Sequence, residues 1–181
     1  MYHRFEENKY PSTNIRIKDF KIHLNLIKEA GLEFVYPHKF EEYINKRNKT
    51  KKILLTIDDG FLSFYDEAWP ILKSEKIPFI IFVNTESVGS RGYMSWDQLK
   101  EISKYDFVHI GNHSHTHEYL ADMSDEEIRK DLQIAKELFK KNLSNNTEFF
   151  AYPFGEYRES YKKIVKNMGF NYAFGQHSGV M

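Results

Sequence analysis

The sequence predicts an α/β fold in which a parallel sheet forms a single domain. Apolar, strand-like runs alternate with helical patterns along almost the whole chain of 181 residues. Each run is continuously apolar rather than alternating in polarity, as expected for parallel strands that are covered on both faces. These observations leave open whether the sheet is open or closed into a barrel.

Seven segments have the composition of strands. β-Branched and aromatic residues are concentrated in them, and Gly, Pro or Asp residues bound several of them. The predicted strands are 1–5, 32–36, 51–57, 77–83, 106–111, 148–152 and 170–175.

Helical segments separate these strands. Residues 18–30 repeat apolar side chains at helical spacing and end at Gly31, a typical C-terminal cap. Ser124 and Glu127 have the spacing of a capping box, which satisfies the free N–H groups at a helix start. The predicted helices are 18–30, one beginning near Ser95, one from Ser124 to about Leu143, and one from about Glu156 to Met168.

The composition excludes some kinds of site and partner. The chain contains no cysteine, so disulfides and cysteine metal sites are excluded. Its formal net charge is +0, which provides no overall basic field, and we expect no nucleic-acid partner. No apolar run approaches the ~18 residues of a membrane helix, so no membrane segment is predicted in this chain.

Four polar or glycine-containing clusters each follow a predicted strand. In a parallel sheet the C-terminal strand ends share one edge, which is where α/β folds place their sites. We therefore expect clusters that are remote in sequence to meet in one pocket. The clusters are 58–60, 112–117, 152–155 and 176–179.

The histidines of the second cluster predict a metal site. His113 and His117 are spaced so that a helical turn would put both rings on one face, able to bind one ion. Imidazole nitrogen is a suitable ligand for zinc, cobalt or nickel. His115 would point elsewhere on such a turn, and we interpret it as structural. The alternative, a solvated polar turn, is less compatible with three histidines in five residues at a strand end.

The first cluster supplies two adjacent carboxylates, Asp58 and Asp59. Neighbouring side chains at a strand end can point in different directions, so one can bind the metal while the other faces the substrate water. Asp-Asp-Gly is also a common turn sequence, and alone it would indicate no more than that. Beside the histidine cluster, the catalytic interpretation is favoured.

Three of these segments resemble motifs of a known family. Residues 56–60, Thr-Ile-Asp-Asp-Gly, resemble the T-F-D-D-G motif of the NodB-homology polysaccharide deacetylases, carbohydrate esterase family 4. Residues 113–117 match the family's H-[ST]-x-x-H motif, and residues 152–155 resemble the end of its R-x-P-[YF]-G motif. The resemblance covers roughly residues 50–175. The opening Tyr2-His3-Arg4 is similar to the first strand of the branch that deacetylates poly-N-acetylglucosamine.

The resemblance implies a fold and a set of roles. The fold would be a distorted (β/α) barrel of about seven parallel strands, in one domain over residues 1–181. Asp59, His113 and His117 would bind a divalent metal, with zinc the first choice and Co²⁺ or Ni²⁺ the alternatives. Asp58 would be the general base, and the backbone N–H of Phe154 would stabilise the oxyanion.

The resemblance also implies a reaction and a location. The substrate would be an acetylated polysaccharide or oligosaccharide of the poly-N-acetylglucosamine, chitin or peptidoglycan type, which would lose the N-acetyl groups of its hexosamine units. The location of the family suggests an extracytoplasmic or cell-envelope protein. Tyr152, Pro153 and Trp96 are further predicted substrate contacts, and a packing residue at a helix start is the alternative for Trp96.

Two departures from the family's pattern bear on this interpretation. The motif arginine that orients the base would fall at Ala151, so that role is unassigned. The late histidine of the family, its usual general acid, is absent as a motif, and we expect a domain truncated at its C-terminus. His177 is the candidate acid or substrate contact, and an ordinary loop histidine is the alternative.

Other functions compete with the deacetylase. An O-acetyl esterase on a polysaccharide could use the same site. The missing arginine and late motif favour a catalytically disabled carbohydrate- or metal-binding module, although such a module has no need of Asp58. A metallophosphoesterase is poorly supported, because neither a dinuclear ligand set nor a phosphate-cradling loop is found.

Overall fold

A parallel five-stranded sheet organises the computed structural model, which describes residues 1–45, 51–144 and 146–176. Within these residues, helices and further short strands surround the sheet, so the predicted α/β class is confirmed. The strands are β1 (Arg4–Phe5), β2 (Asn14–Ile15), β3 (Glu33–Phe34), β4 (Lys52–Ile53), β5 (Leu55–Ile57), β6 (Phe79–Val83), β7 (Val108–Asn112), β8 (Phe149–Ala151) and β9 (Tyr172–Phe174).

The main sheet has the strand order β5-β6-β7-β8-β9, and every neighbouring pair is parallel. Sequential order with helical crossovers places all five C-terminal ends at one edge. Strands β1 and β2 form a separate parallel ladder, as do β3 and β4. A single bridge from Tyr2 to Ile57 connects the first residues of the chain to β5.

Helices follow most strands and cover the sheet. Local sequence explains their starts: Ser124 Oγ accepts the N–H of Glu127, whose carboxylate accepts the N–H of Ser124 at 2.8 Å, and Ser95 and Gln98 form the same capping box. The helices are α1 (Ile17–Glu29), α2 (Phe40–Asn45), α3 (Trp69–Glu75), α4 (Trp96–Ile102), α5 (Asp125–Leu143) and α6 (Glu159–Asn167).

Both faces of the main sheet are buried, which explains the continuously apolar strand sequences. Ile57, Ile81 and Ile110 belong to a large core that includes residues of α1, α3, α4 and α5. On the other face, Ile80 and Phe82 pack in a smaller core with residues of β8 and β9. In the part of the chain that is described, no helix is long and apolar enough to cross a bilayer.

The predicted count of about seven strands in one barrel is not confirmed. The predicted strand 51–57 is divided into β4 and β5, and β4 pairs with β3 while β5 pairs with β6. The opening segment and residues 32–36 contribute only two-residue ladders, so five strands share the continuous sheet. The length of each ladder depends on which distant segment a strand pairs with, and the local composition of the strand does not specify that partner.

Candidate metal centre

The C-terminal strand ends meet around a cleft of about 530 Å³. Asp58 follows β5, His113 follows β7, Tyr152 follows β8 and Gln176 lies just beyond β9, and all four line this cleft. The predicted convergence of remote clusters is therefore confirmed for the described members.

Asp59, His113 and His117 are placed so that they could hold one metal ion. Their ligand atoms all lie within 4.8 Å of one another. Asp59 Oδ1 is 3.5 Å from His113 Nε2 and 3.1 Å from His117 Nε2. That Oδ1 is buried and, among the described residues, accepts no hydrogen bond, which is unfavourable unless a cation faces it. Two imidazoles and one carboxylate fit a catalytic zinc site with an open coordination position.

The orientation of His113 fixes its tautomer. Its Nδ1 lies 2.8 Å from the backbone carbonyl oxygen of Ala151. A carbonyl oxygen can only accept, so Nδ1 donates and the lone pair of the neutral ring is on Nε2, toward Asp59. Burial, despite the opposing charge of Asp59, lowers the pKa of His113 to about 4. The ring is therefore neutral at physiological pH, as a metal ligand must be.

Asp59 and His117 stabilise each other's charged forms. Burial alone would raise the pKa of Asp59, but the rings of His117 and His113 outweigh it and hold that pKa below its usual range. Burial would lower the pKa of His117, but the Asp59 carboxylate outweighs it and raises that pKa. A proton on His117 and a divalent cation would therefore compete for the same position beside Asp59.

The two histidine rings converge through a left-handed loop rather than a helix. Residues 113–117 contain no helical turn, so the predicted helical spacing is wrong although the predicted pairing of the rings is right. Ser114 and His117 have φ values of 71° and 57°. The Ser114 Oγ accepts the N–H of His117 at 3.0 Å, and Asn112 Oδ1 accepts the N–H of Ser114 at 2.8 Å. These bonds offset the unfavourable backbone conformations.

A carboxylate that the sequence analysis missed anchors this loop. Asp131 of α5 is buried and accepts the N–H of His115 at 2.7 Å. It also accepts the N–H of Thr116 at 3.0 Å and the hydroxyl of Thr116 at 2.8 Å. The many charged residues of this helix by themselves indicate no more than a solvated face. One sequence signal could have revealed its role: Asp131 lies three residues after Ile128 and four before Ala135, on the apolar face of the helix that becomes buried.

Asp58 lies in the cleft beside His3. It is 7% exposed, and its N–H donates to the carbonyl of Tyr2 at 2.8 Å. This backbone bond aligns the first residues with the end of β5, and His3 Nε2 lies 3.9 Å from Asp58 Oδ2. Burial, with the charge of Asp59 as the next cause, raises the pKa of Asp58 to about 7. A bound divalent cation would lower that pKa again.

The turn after β8 forms a wall of the cleft. Phe154 has a φ of 57°, and its exposed ring lies 4.9 Å from the ring of His117. Tyr152 lines the cleft although its side chain is mostly buried, whereas Pro153 is buried as the first residue of the turn. The Phe154 side chain thus covers one side of a predicted metal ligand.

Other predicted site residues lie elsewhere. Trp96 begins α4 and packs edge-on against Phe139 at a ring distance of 6.1 Å. It does not line the cleft, because the core beside α5 holds it, and its predicted role as a substrate contact is replaced by packing. His115 Nδ1 lies 2.8 Å from Thr85 Oγ1, a contact that fits a structural role for this residue. His177 lies outside the described residues.

Comparison with known proteins identifies relatives of the chain. The family described as polysaccharide deacetylase matches residues 45–173. The chain is 27% identical over 176 residues to the poly-β-1,6-N-acetyl-D-glucosamine N-deacetylase of Staphylococcus epidermidis, covering 87% of this chain and 59% of that protein. It thus spans about three-fifths of the length of the curated relatives it matches.

Solved structures give the same assignment. IcaB from Ammonifex degensii has a TM-score of 0.89 and 29% identity, over 96% of this chain and 81% of that chain. The Streptococcus pyogenes deacetylase PplD, solved in complex with acetate, has a TM-score of 0.83 and 26% identity, over 94% and 79%. These relatives agree with the branch that the opening residues resemble. With the family match over most of its length, the chain belongs to the polysaccharide deacetylase family.

Proposed function

We propose that this protein is a metal-dependent hydrolase that removes N-acetyl groups from the hexosamine units of a poly-N-acetylglucosamine-type polysaccharide. The observation that carries the proposal is the convergence of Asp59, His113 and His117 within 4.8 Å, with Asp58 beside them in the same cleft. Similarity to a named poly-N-acetylglucosamine deacetylase supports the substrate class.

The metal has a defined role in this proposal. Asp59, His113 and His117 would hold it, and when bound it would polarise the acetamide carbonyl and lower the pKa of the attacking water. Nitrogen-rich ligation favours Zn²⁺, with Co²⁺ and Ni²⁺ as the alternatives. The absence of cysteine from the chain removes thiolates from the choice of ligands.

Asp58 acts as the general base. It takes one proton from the attacking water while the water oxygen bonds to the acetamide carbon. Its burial in the cleft keeps the carboxylate poorly solvated, which makes it a stronger base than a surface aspartate. The carbonyl π electrons move to oxygen, and the Phe154 N–H is proposed to stabilise that negative charge. Cleavage of the C–N bond then releases acetate and a free amine.

The leaving nitrogen needs a proton, and His177 is the proposed donor. The preceding residue in the sequence, Gln176, lines the cleft. Acetate and the amine product account for every atom of the acetamide and the water. The proton that Asp58 takes returns to His177 by exchange with solvent, and the proton of the newly formed acetic acid passes to the amine, so the final products are acetate and an ammonium group.

His3 takes the orienting role that the family gives to the motif arginine. Ala151 replaces that arginine and supplies only its carbonyl, which is bonded to His113. His3 Nε2 lies 3.9 Å from Asp58 Oδ2, and His3 is not a proposed metal ligand. His3 is therefore a positioning residue for Asp58.

Acetate release tests the proposal. The purified protein, loaded with Zn²⁺, is incubated with β-1,6-linked N-acetylglucosamine oligomers, and acetate and free amines are measured. We expect equal amounts of both products, a loss of activity on chelation and recovery on adding Zn²⁺. Acetate release that is unaffected by a chelator would remove the metal from the mechanism.

An O-acetyl esterase is the second candidate, because the same base and metal can attack an ester. Acetylated xylan, which has O-acetyl but no N-acetyl groups, separates the two activities. A value of kcat/KM on xylan above that on the N-acetylglucosamine oligomers would favour the esterase. Binding of oligomers without any acetate release would instead favour a disabled binding module.

A further inference from the structure

We propose that a second pocket next to the metal centre binds the sugar unit adjacent to the one being deacetylated. This inference rests on the proposed function, since it assigns a further subsite to the same polymer. The pocket, here called the Asn84 pocket, has a volume of about 320 Å³. Asp59 and His117 line both this pocket and the larger cleft, so these two proposed metal ligands form the wall between the two cavities. Its remaining walls include Arg4, Phe61, Asn84, Ser87 and Tyr93.

Asn84 supplies an unused acceptor in this pocket. The residue follows β6 at the same sheet edge as the metal ligands and is 4% exposed. Its Nδ2 donates to Ser87 Oγ at 2.7 Å. Its Oδ1 is buried and has no hydrogen-bond partner among the described residues. A buried acceptor without a donor is costly, and a hydroxyl donated by a ligand would satisfy it.

The other walls suit a neutral, hydroxyl-rich ligand. The ring of Tyr93 is partly exposed and packs 4.9 Å from the buried Phe61 ring, so Tyr93 provides the aromatic surface for the C–H face of a sugar. The Arg4 guanidinium lies 3.4 Å over the Phe61 ring and donates to Glu7 at 2.8 Å. Because this ion pair balances the charge of Arg4, the pocket has no unpaired cation to select a phosphate or carboxylate. Ser87 and Tyr93 add hydroxyls that can donate to sugar oxygens.

The reacting acetamide belongs in the larger cleft, and this leaves the Asn84 pocket for a neighbour. Asp58 lines the larger cleft and is not part of the Asn84 pocket. A carbonyl attacked with help from Asp58 must therefore lie on the Asp58 side of Asp59 and His117. A polymer that crosses the ligand pair would place its next unit on the opposite side.

Kinetics on substrates of different length test this inference. Asn84→Ala removes the free acceptor, and Tyr93→Phe removes one hydroxyl with the ring retained. We expect Asn84→Ala to raise KM on the β-1,6-linked pentamer about tenfold with kcat nearly unchanged, and to leave the slower reaction of the monomer unaltered. Tyr93→Phe should also raise KM on the pentamer, by about threefold. This second variant tests the pocket independently if Asn84→Ala folds poorly.

Tyr65→Phe is the matched control, because the Tyr65 hydroxyl donates to Glu101 away from both pockets. It should leave both substrates unaffected. Equal losses on monomer and pentamer in the Asn84 and Tyr93 variants would overturn the inference.

Calorimetry separates this inference from the proposed function. Pentamer binding is measured on Asp58→Asn protein with and without Asn84→Ala, which needs no turnover. About tenfold weaker binding in the double variant would support the pocket whether or not the wild type releases acetate. A wild type that releases no acetate would refute only the proposed function. Unchanged binding would overturn the pocket whatever the activity of the wild type.

Discussion

His113 and Ala151 are joined by a hydrogen bond of 2.8 Å from the imidazole Nδ1 to the backbone carbonyl. The bond connects the end of β7 to the end of β8 and directs Nε2 of the ring toward Asp59. It depends on the backbone and not on the side chain of residue 151. The position that holds an arginine in the family motif therefore still serves the metal centre here, while the orienting role of the arginine has to be filled elsewhere.

Replacing Asp58 should separate catalysis from metal binding. Asp58→Asn keeps the size of the side chain but removes the base, so we expect kcat to fall about 10²- to 10⁴-fold with the metal retained. Acetate release and metal content measured on the same sample check this. Activity equal to that of the wild type would exclude Asp58 from the mechanism.

Replacing His117 should remove the metal itself. His117→Ala deletes one of three ligands, and we expect both metal content and activity to be lost. His38→Ala is the matched control, since His38 packs beside Tyr36 in a turn far from the cleft lining. Full metal content in His117→Ala, or equal losses in both variants, would contradict the assigned ligand set.

Asp131 should influence metal affinity without touching the metal. Asp131→Asn retains one acceptor oxygen but turns an amide toward the donors of His115 and Thr116. We expect about 1–3 kcal/mol lower stability and about 10- to 100-fold weaker zinc binding. Thermal unfolding and competition with a zinc chelator measure the two effects. Asp97→Asn, at an exposed aspartate that also lies in a helix, should change neither.

His3 should affect turnover more than binding. Because His3 positions Asp58, we expect His3→Ala to lower kcat about ten- to hundredfold with KM and metal content unchanged. His3→Gln keeps a side-chain N–H and should retain part of the activity that His3→Ala loses. If His3 were merely structural, no such partial recovery would be expected. A change confined to KM would argue against the positioning role.

His109 should make the fold sensitive to acid. Its Nε2 lies 2.9 Å from Thr147 Oγ1, and burial lowers the pKa of His109 to about 4 against the opposing charge of Glu148. The unfolded chain binds this proton near pH 6.5, so the unfolding free energy should fall by about 3 kcal/mol between about pH 6.5 and 4 and then level off.

Comparison with a variant isolates this residue. His113 has a similarly lowered pKa, so the metal-free wild type and His109→Gln are unfolded in urea across this pH range. The difference in slope between them should equal the contribution of His109. Parallel pH profiles for the two proteins would show that His109 does not carry the effect.

The helices were predictable from sequence because their signals are local. The capping box at Ser124 involves residues three apart, and α5 begins at the next residue. Strand pairing is a long-range choice. The run 51–57 looks like one strand, yet its first half pairs with Glu33–Phe34 and its second half with Phe79–Val83. No local pattern could divide it at Leu54.

The meeting of Asp59, His113 and His117 was predictable because the strand ends of a parallel sheet meet at one edge. The resemblance to the family then assigned Asp58 and Asp59 to different roles. Asp131 was missed because its function depends on a helix packing behind the loop of His115, which sequence spacing does not show. The sequence allowed both a substrate contact and a packing role for Trp96 for the same reason, since only tertiary packing directs its ring toward Phe139.

Four non-glycine residues of the site hold left-handed backbone conformations: Asp59, Ser114, His117 and Phe154, with φ between 57° and 72°. Each such conformation is disfavoured by roughly 1–3 kcal/mol and persists only within a structure that enforces it. An attempt to graft this centre onto another scaffold would therefore fail if it transferred the side chains alone. The recipient would also need the neighbouring loops and the helix carboxylate that hold these backbone angles in place.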